Sequence, residues 1–212
     1  MPQMTETINC IERLIELSPR PLAVFIGSGL SVPEPTALPL ASEAITSLLS
    51  LDWVEAEEKF PYSVSQIDKN SDLYKIRFEH LLSIFVEWQR HDLGSLLRQF
   101  ADAPPNGYHR RIAELCSENK IKFVVTTNFD SCLEKALQQF CVTHKVIINQ
   151  NDAPTTDNLN VFKIHGTIQF SNSKYSAHGL GATLESVYSG LEEWKEKILS
   201  FIIERYTIVF LQ

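Results

Sequence analysis

AVFIGSGLS, Ala23 to Ser31, carries a short apolar run straight into a corner of glycine and serine. The run Leu22 to Ile26 has the length of a strand buried on both faces. Two distant stretches repeat the pattern. They are FVVTTNFD, Phe123 to Asp130, and VFKIHG, Val161 to Gly166. In a parallel α/β sheet the strand C-termini converge on one edge, and ligands bind in the crevice there. The repetition therefore gathers Gly27, Ser28, Gly29, Ser31, Thr127, Asn128, Asp130 and His165 at one pocket.

Working outward, Thr5 to Leu17 spaces Ile8, Ile11, Leu14 and Ile15 for one helical face, and Pro19 and Pro21 end it. The corner after Ile26 leads toward a helix through VPEPTALP, which must be extended or turning. From about Leu38 to Glu118 helical patterns dominate: Ala41 to Leu51, Leu73 to Trp88, Leu93 to Phe100 and His109 to Cys116. A simple nucleotide-binding unit returns to its sheet within about 30 residues. The much longer return to Ile121 predicts a helical insertion over about 38–118, closed by the turn Ala103 to Tyr108.

The second strand is expected at Ile121 to Thr126, a helix at Ser131 to Phe140, and a third strand at Thr143 to Ile148. A polar loop follows over Asn149 to Asn160, then a fourth strand at Val161 to Ile164. Ser171 to Gly181 reads as another loop, Leu184 to Glu204 as helix, and Tyr206 to Leu211 as a fifth strand. The expected fold is one α/β domain over 1–212, a Rossmann-like parallel sheet flanked by helices. Stopping inside an apolar strand predicts a C-terminally truncated piece of something longer.

The chain has 212 residues, 44% of them hydrophobic, enough for one sizeable core. Its net charge of −7 repels phosphate backbones, so no direct nucleic-acid partner is expected. Cys10, Cys116, Cys132 and Cys141 form no C-x-x-C pair, and no histidines pair at metal-ligand spacing, so no metal is expected. The N-terminus lacks a signal-peptide pattern, and no apolar run approaches the ~20 residues of a membrane helix. The reading is a soluble cytoplasmic protein with reduced thiols.

Each corner carries two readings. GSGLS is either an ordinary tight βα turn or a phosphate cradle in which glycines take positive φ and offer N–H groups. A full G-x-G-x-x-G is absent, and no acidic ribose partner is evident, although Glu43 is in the neighbourhood. In TTNFD, helix capping accounts for Asp130, but a second capping residue is not needed, and the Asn128 amide suits a ribose hydroxyl or a water. His165 is either a satisfied edge histidine or a general base. The other histidines, His80, His91, His109, His144 and His178, read as surface or packing residues.

The ordered trio G-S-G-x-S, T-x-N-F-D and K-x-H-G resembles the sirtuin-like family, in particular its bacterial branch of NAD-hydrolysing antiphage-defence effector domains. The resemblance runs from Leu22 to Leu211. It implies NAD as substrate, with Asn128 and His165 catalytic and Asp130 the acidic residue of the asparagine motif. Gly27, Ser28, Gly29, Ser31 and Thr127 match the cofactor-binding positions. The four-cysteine zinc module of protein-deacylating sirtuins is missing, which argues for NAD cleavage. The family's glycine- and serine-containing region after the last strand is missing too.

The expectation is an NAD glycohydrolase restrained by homo-oligomer packing or a C-terminal sensor region. The alternatives are a sensor that binds NAD or ADP-ribose without turnover, an NAD-dependent deacylase, or an interaction domain that has lost its site.

Overall fold

The structure is a computed structural model that describes residue 13 and residues 16–40, 98–171, 174–178 and 190–211. Strand β1 spans Leu22–Ile26 and runs into a 3-10 turn at Ser28–Ser31. The short helix α1, Arg98–Asp102, precedes α2, Gly107–Ser117, and β2, Ile121–Thr126. Then come α3, Cys132–Gln139, β3, His144–Ile147, and β4, Leu159–Lys163. A hairpin of β5, Thr167–Ser171, and β6, Lys174–His178, follows. The last elements are α4, Glu193–Arg205, and β7, Thr207–Leu211.

Five strands form one sheet in the order β3-β4-β2-β1-β7, every neighbouring pair parallel. Their residues alternate between two faces, as the period of two requires. Val24, Ile26, Val124 and Val161 pack with Ile112, Ala113 and Leu115 of α2 and with Leu133, Ala136 and Leu137 of α3. Ala23, Phe123, Val125 and Phe162 pack on the opposite face with Ile198 and Ile202 of α4. Helices on both faces explain why these strands are continuously apolar rather than alternating. This is the Rossmann-like α/β architecture expected. Burying a side chain such as Phe123 or Phe162 completely contributes about 1.5–3 kcal/mol.

Three expectations change. Ser171 to Gly181 is not all loop, because Thr167–Ser171 pairs antiparallel with Lys174–His178, Ile168 opposite Ala177. Its mixed polar sequence gives no apolar alternation by which to recognise the strands. The glycine corner opens into a four-residue 3-10 turn rather than a regular helix, since Pro33 and Pro35 follow at once. Gly27 is extended, with φ −103°, and the positive φ lies instead at Gly166, 79°.

The expected helices at Ala41 to Leu51 and Leu73 to Trp88 lie outside the described residues, as does most of Thr5 to Leu17. The end of the expected insertion, α2, packs into the sheet's own core.

Candidate active site

The strand ends are laced together at the C-terminal edge. Gly27 N–H donates to the Leu211 carbonyl at 3.0 Å, Thr127 N–H to Ile26 at 3.3 Å, and Ile164 N–H to Thr126 at 2.9 Å. Thr126 Oγ1 donates to the Ile26 carbonyl at 3.2 Å and accepts from Asn128 N–H at 3.0 Å. Glycine, asparagine and histidine corners therefore share one rigid edge.

Asn128 is buried, 9% exposed. Its Nδ2 donates to the Gly27 carbonyl and to Ser31 Oγ, each at 3.2 Å. Its Oδ1 is buried and has no hydrogen-bond partner among the described residues. Both amide protons face acceptors, so the orientation of the amide is set by its surroundings. An unpartnered buried oxygen in such a place requires an explanation, and a ligand hydroxyl or water supplies one.

Asp130 has two structural duties. Its Oδ2 accepts from Ser31 Oγ at 2.8 Å, and its Oδ1 accepts from Cys132 N–H at 3.0 Å, at the start of α3. Its backbone carbonyl accepts from Lys163 Nζ, which also pairs with Glu134 Oε1 at 2.8 Å. Lys163 is 1% exposed, so this pair ties the end of β4 to the asparagine corner in the core.

His165 lies in the turn after β4, which Gly166 N–H closes onto the Lys163 carbonyl at 3.1 Å. The ring is half-buried, 6.3 Å from the ring of Phe129. The Phe129 carbonyl accepts from Ile168 N–H at 3.1 Å and from Thr167 Oγ1 at 3.3 Å, which fixes the chain just after His165. Gly27, Ser31, Asn128 and Asp130 thus form one hydrogen-bonded cluster. His165 stands on the neighbouring strand end, Thr127 is half-buried, and Ser28 is exposed beside them.

His109 belongs to the same cluster. Asn106 caps α2, its Oδ1 accepting from the backbone N–H of Tyr108 at 3.0 Å and of His109 at 3.3 Å. Asn106 Nδ2 donates to the Leu30 carbonyl at 2.8 Å and to that of Pro33 at 3.2 Å, holding α2 over the glycine corner. The His109 ring is buried, with Nδ1 2.9 Å from Asn106 Oδ1 and Nε2 3.4 Å from Ser31 Oγ. Burial lowers its pKa, against the raising pull of Asp130 and Glu134, so the ring is neutral at pH 7. Sequence reasoning missed this histidine. The signal for it was Asn106 three residues before a histidine at a helix start, a cap whose partner is a ring.

Residues 122–211 match the family described as SIR2-like domain, which supports a sirtuin-like family. The match takes in Asn128, Asp130 and His165 but begins after the glycine corner. No curated protein matches the chain.

Proposed function

We propose that this edge binds NAD and hydrolyses its nicotinamide–ribose bond. The observation that carries the reading is the buried, unpartnered Oδ1 of Asn128, on a strand end next to that of His165. The SIR2-like match over both residues supports NAD as the ligand. Nicotinamide in NAD is a pyridinium and leaves neutral, so its departure needs no general acid. The site must stabilise an oxocarbenium-like ribose and deliver water.

Asn128 Oδ1 accepts from a ribose hydroxyl or from the attacking water. Its Nδ2 is committed to Gly27 and Ser31, so the oxygen keeps a fixed direction. His165 takes the proton as the water oxygen bonds to the ribose carbon and the carbon–nitrogen bond breaks. The products are nicotinamide, ADP-ribose and a proton released to solvent. Asp130 acts by holding Ser31 and the start of α3 rather than by touching the substrate. Gly27, Ser28, Gly29, Ser31 and Thr127 line the dinucleotide. In a bacterial cytoplasm such an activity suits an NAD-depleting antiphage effector.

The test is chromatography of NAD and its products with the wild-type chain, Asn128→Ala and His165→Ala. The expected result is nicotinamide with ADP-ribose from the wild type and at least about 100-fold less from either variant. Tight NAD binding without nicotinamide would replace this reading with a sensor. Cleavage that survives both substitutions would refute the residue roles.

A further inference from the structure

We propose that His109, Asp130 and Cys132 form an inhibitory site for a divalent d-block cation of the zinc class. One ligand atom from each of these three buried residues lies within 4.8 Å of the others. Imidazole nitrogen, carboxylate oxygen and thiolate sulfur are the three donor types that zinc accepts. Bonds of about 2.0–2.3 Å to zinc put neighbouring ligands roughly 3.5 Å apart, so closing the site takes about 1 Å of side-chain movement.

The state of the histidine is the second observation. Asn106 Nδ2 faces two carbonyls, which fixes Oδ1 as the atom 2.9 Å from His109 Nδ1. An oxygen and a nitrogen lone pair would repel at that distance, so the 2.9 Å contact favours the tautomer with the proton on Nδ1 over the capping-box one in which Nδ1 accepts from the Asn106 N–H. The Asn106 N–H, 3.3 Å from the same nitrogen, is the weaker contact. A neutral ring protonated at Nδ1 leaves a lone pair on Nε2. Ser31 Oγ, 3.4 Å away, does not serve it, because the hydroxyl proton is engaged with Asp130 Oδ2 at 2.8 Å. A ring held through one nitrogen by an oxygen acceptor, with the other nitrogen bare, is how metal-ligating histidines are oriented.

The Asp130 carboxylate accepts from Ser31 Oγ, the Cys132 N–H and the Cys132 thiol, and a carboxylate has lone-pair sites beyond these three. Cys132 Sγ lies 3.5 Å from the Ala103 carbonyl, and its thiol also hydrogen-bonds to the Asp130 carboxylate. On binding, the Cys132 thiol proton is released and sulfur bonds to the cation.

Inhibition follows from shared atoms, and that half rests on the function proposed above. A cation on Asp130 and His109 removes the carboxylate that holds Ser31. Ser31 is one of the two anchors of the Asn128 amide. Binding therefore loosens the group that directs the substrate.

Cobalt(II) is the first probe, added to the reduced full chain, with zinc as competitor. The expected result is one intense near-ultraviolet thiolate-to-cobalt band per chain, which zinc abolishes. Cys132→Ser should remove the band, while Cys10→Ser, Cys116→Ser and Cys141→Ser keep it. Circular dichroism checks folding, and Cys132→Ala replaces the serine variant should that one not fold. Absence of the band in the wild type, or its persistence without Cys132, overturns the site.

Zinc should lower NAD turnover of the wild type at least about 10-fold and leave Cys132→Ser untouched. A cobalt band in a chain that never cleaves NAD would sink the functional reading and leave the metal site standing. Zinc-insensitive turnover alongside the band would overturn inhibition.

Discussion

A buried amide oxygen without a partner costs about 1–3 kcal/mol, and the Asn128 oxygen has none among the described residues. Asn128→Ala removes the cost together with two hydrogen bonds of ordinary length. The two effects oppose each other, so the melting temperature should move by only a few degrees while turnover collapses. Calorimetry beside the NAD assay checks this, and a large loss of stability would mean that the amide is chiefly structural.

His109 makes a second prediction at the same scale, through pH. Its folded pKa is lowered by burial, so between the folded and unfolded values the unfolded chain binds the extra proton. Its contribution to stability is therefore complete above about 6.5, the unfolded value, and declines as pH falls toward the folded one. Thermal melts from pH 7.5 to 5.5 should show wild type losing more stability than His109→Gln; equal losses would contradict the burial of a neutral ring. Asn128 was legible in the sequence because it interrupts a strand end where one capping residue, Asp130, already suffices. His109 was not, because its partner Ser31 meets it only once α2 folds over the glycine corner, and its local partner Asn106 reads in the sequence as a helix cap alone.

Among the elements, the connection from β4 to the asparagine corner runs through Lys163 and Glu134, both buried. Lys163→Met leaves the Glu134 carboxylate buried without its cation and should cost about 3–5 kcal/mol in urea unfolding. The double variant Lys163→Met, Glu134→Leu should recover most of that loss, since a buried ion pair rarely outperforms apolar packing. Failure to recover would point to the Lys163 bond with the Asp130 carbonyl as the larger contribution, and the NAD assay of the double variant would then show a disordered corner.

Element boundaries were legible where burial dictated the residue type. Leu22–Ile26 and Ile121–Thr126 are sandwiched between helix layers, so their apolar runs end where the strands end. The hairpin of β5 and β6 lies outside the five-stranded sheet, and its sequence carries no comparable apolar run. The glycine corner misled for a related reason. Its glycines suggested positive φ, but Gly27 is extended and serves as the carbonyl partner of the Asn128 amide.

For the whole molecule, chain order explains what a linear reading reaches. Parallel strands put every C-terminus on one edge, so Gly27, Asn128 and His165 could be grouped before any contact was known. The proposed metal-ligand set could not, because His109, near the start of α2, meets the adjacent Asp130 and Cys132 only at the folded edge. The proposed activity sets a last constraint on the molecule as a unit. NAD is a shared currency of the host cell, so a freely active hydrolase would arrest its own producer. The active form should therefore depend on assembly or on a further region of the protein.

Expression of the full-length protein should leave growth and cellular NAD unchanged until a trigger arrives, and NAD should then fall as the protein shifts to an earlier elution on size exclusion. Asn128→Ala should shift in elution without the fall in NAD, separating assembly from chemistry. A monomer that consumes NAD from the moment of expression would overturn the restraint and place the control outside the protein.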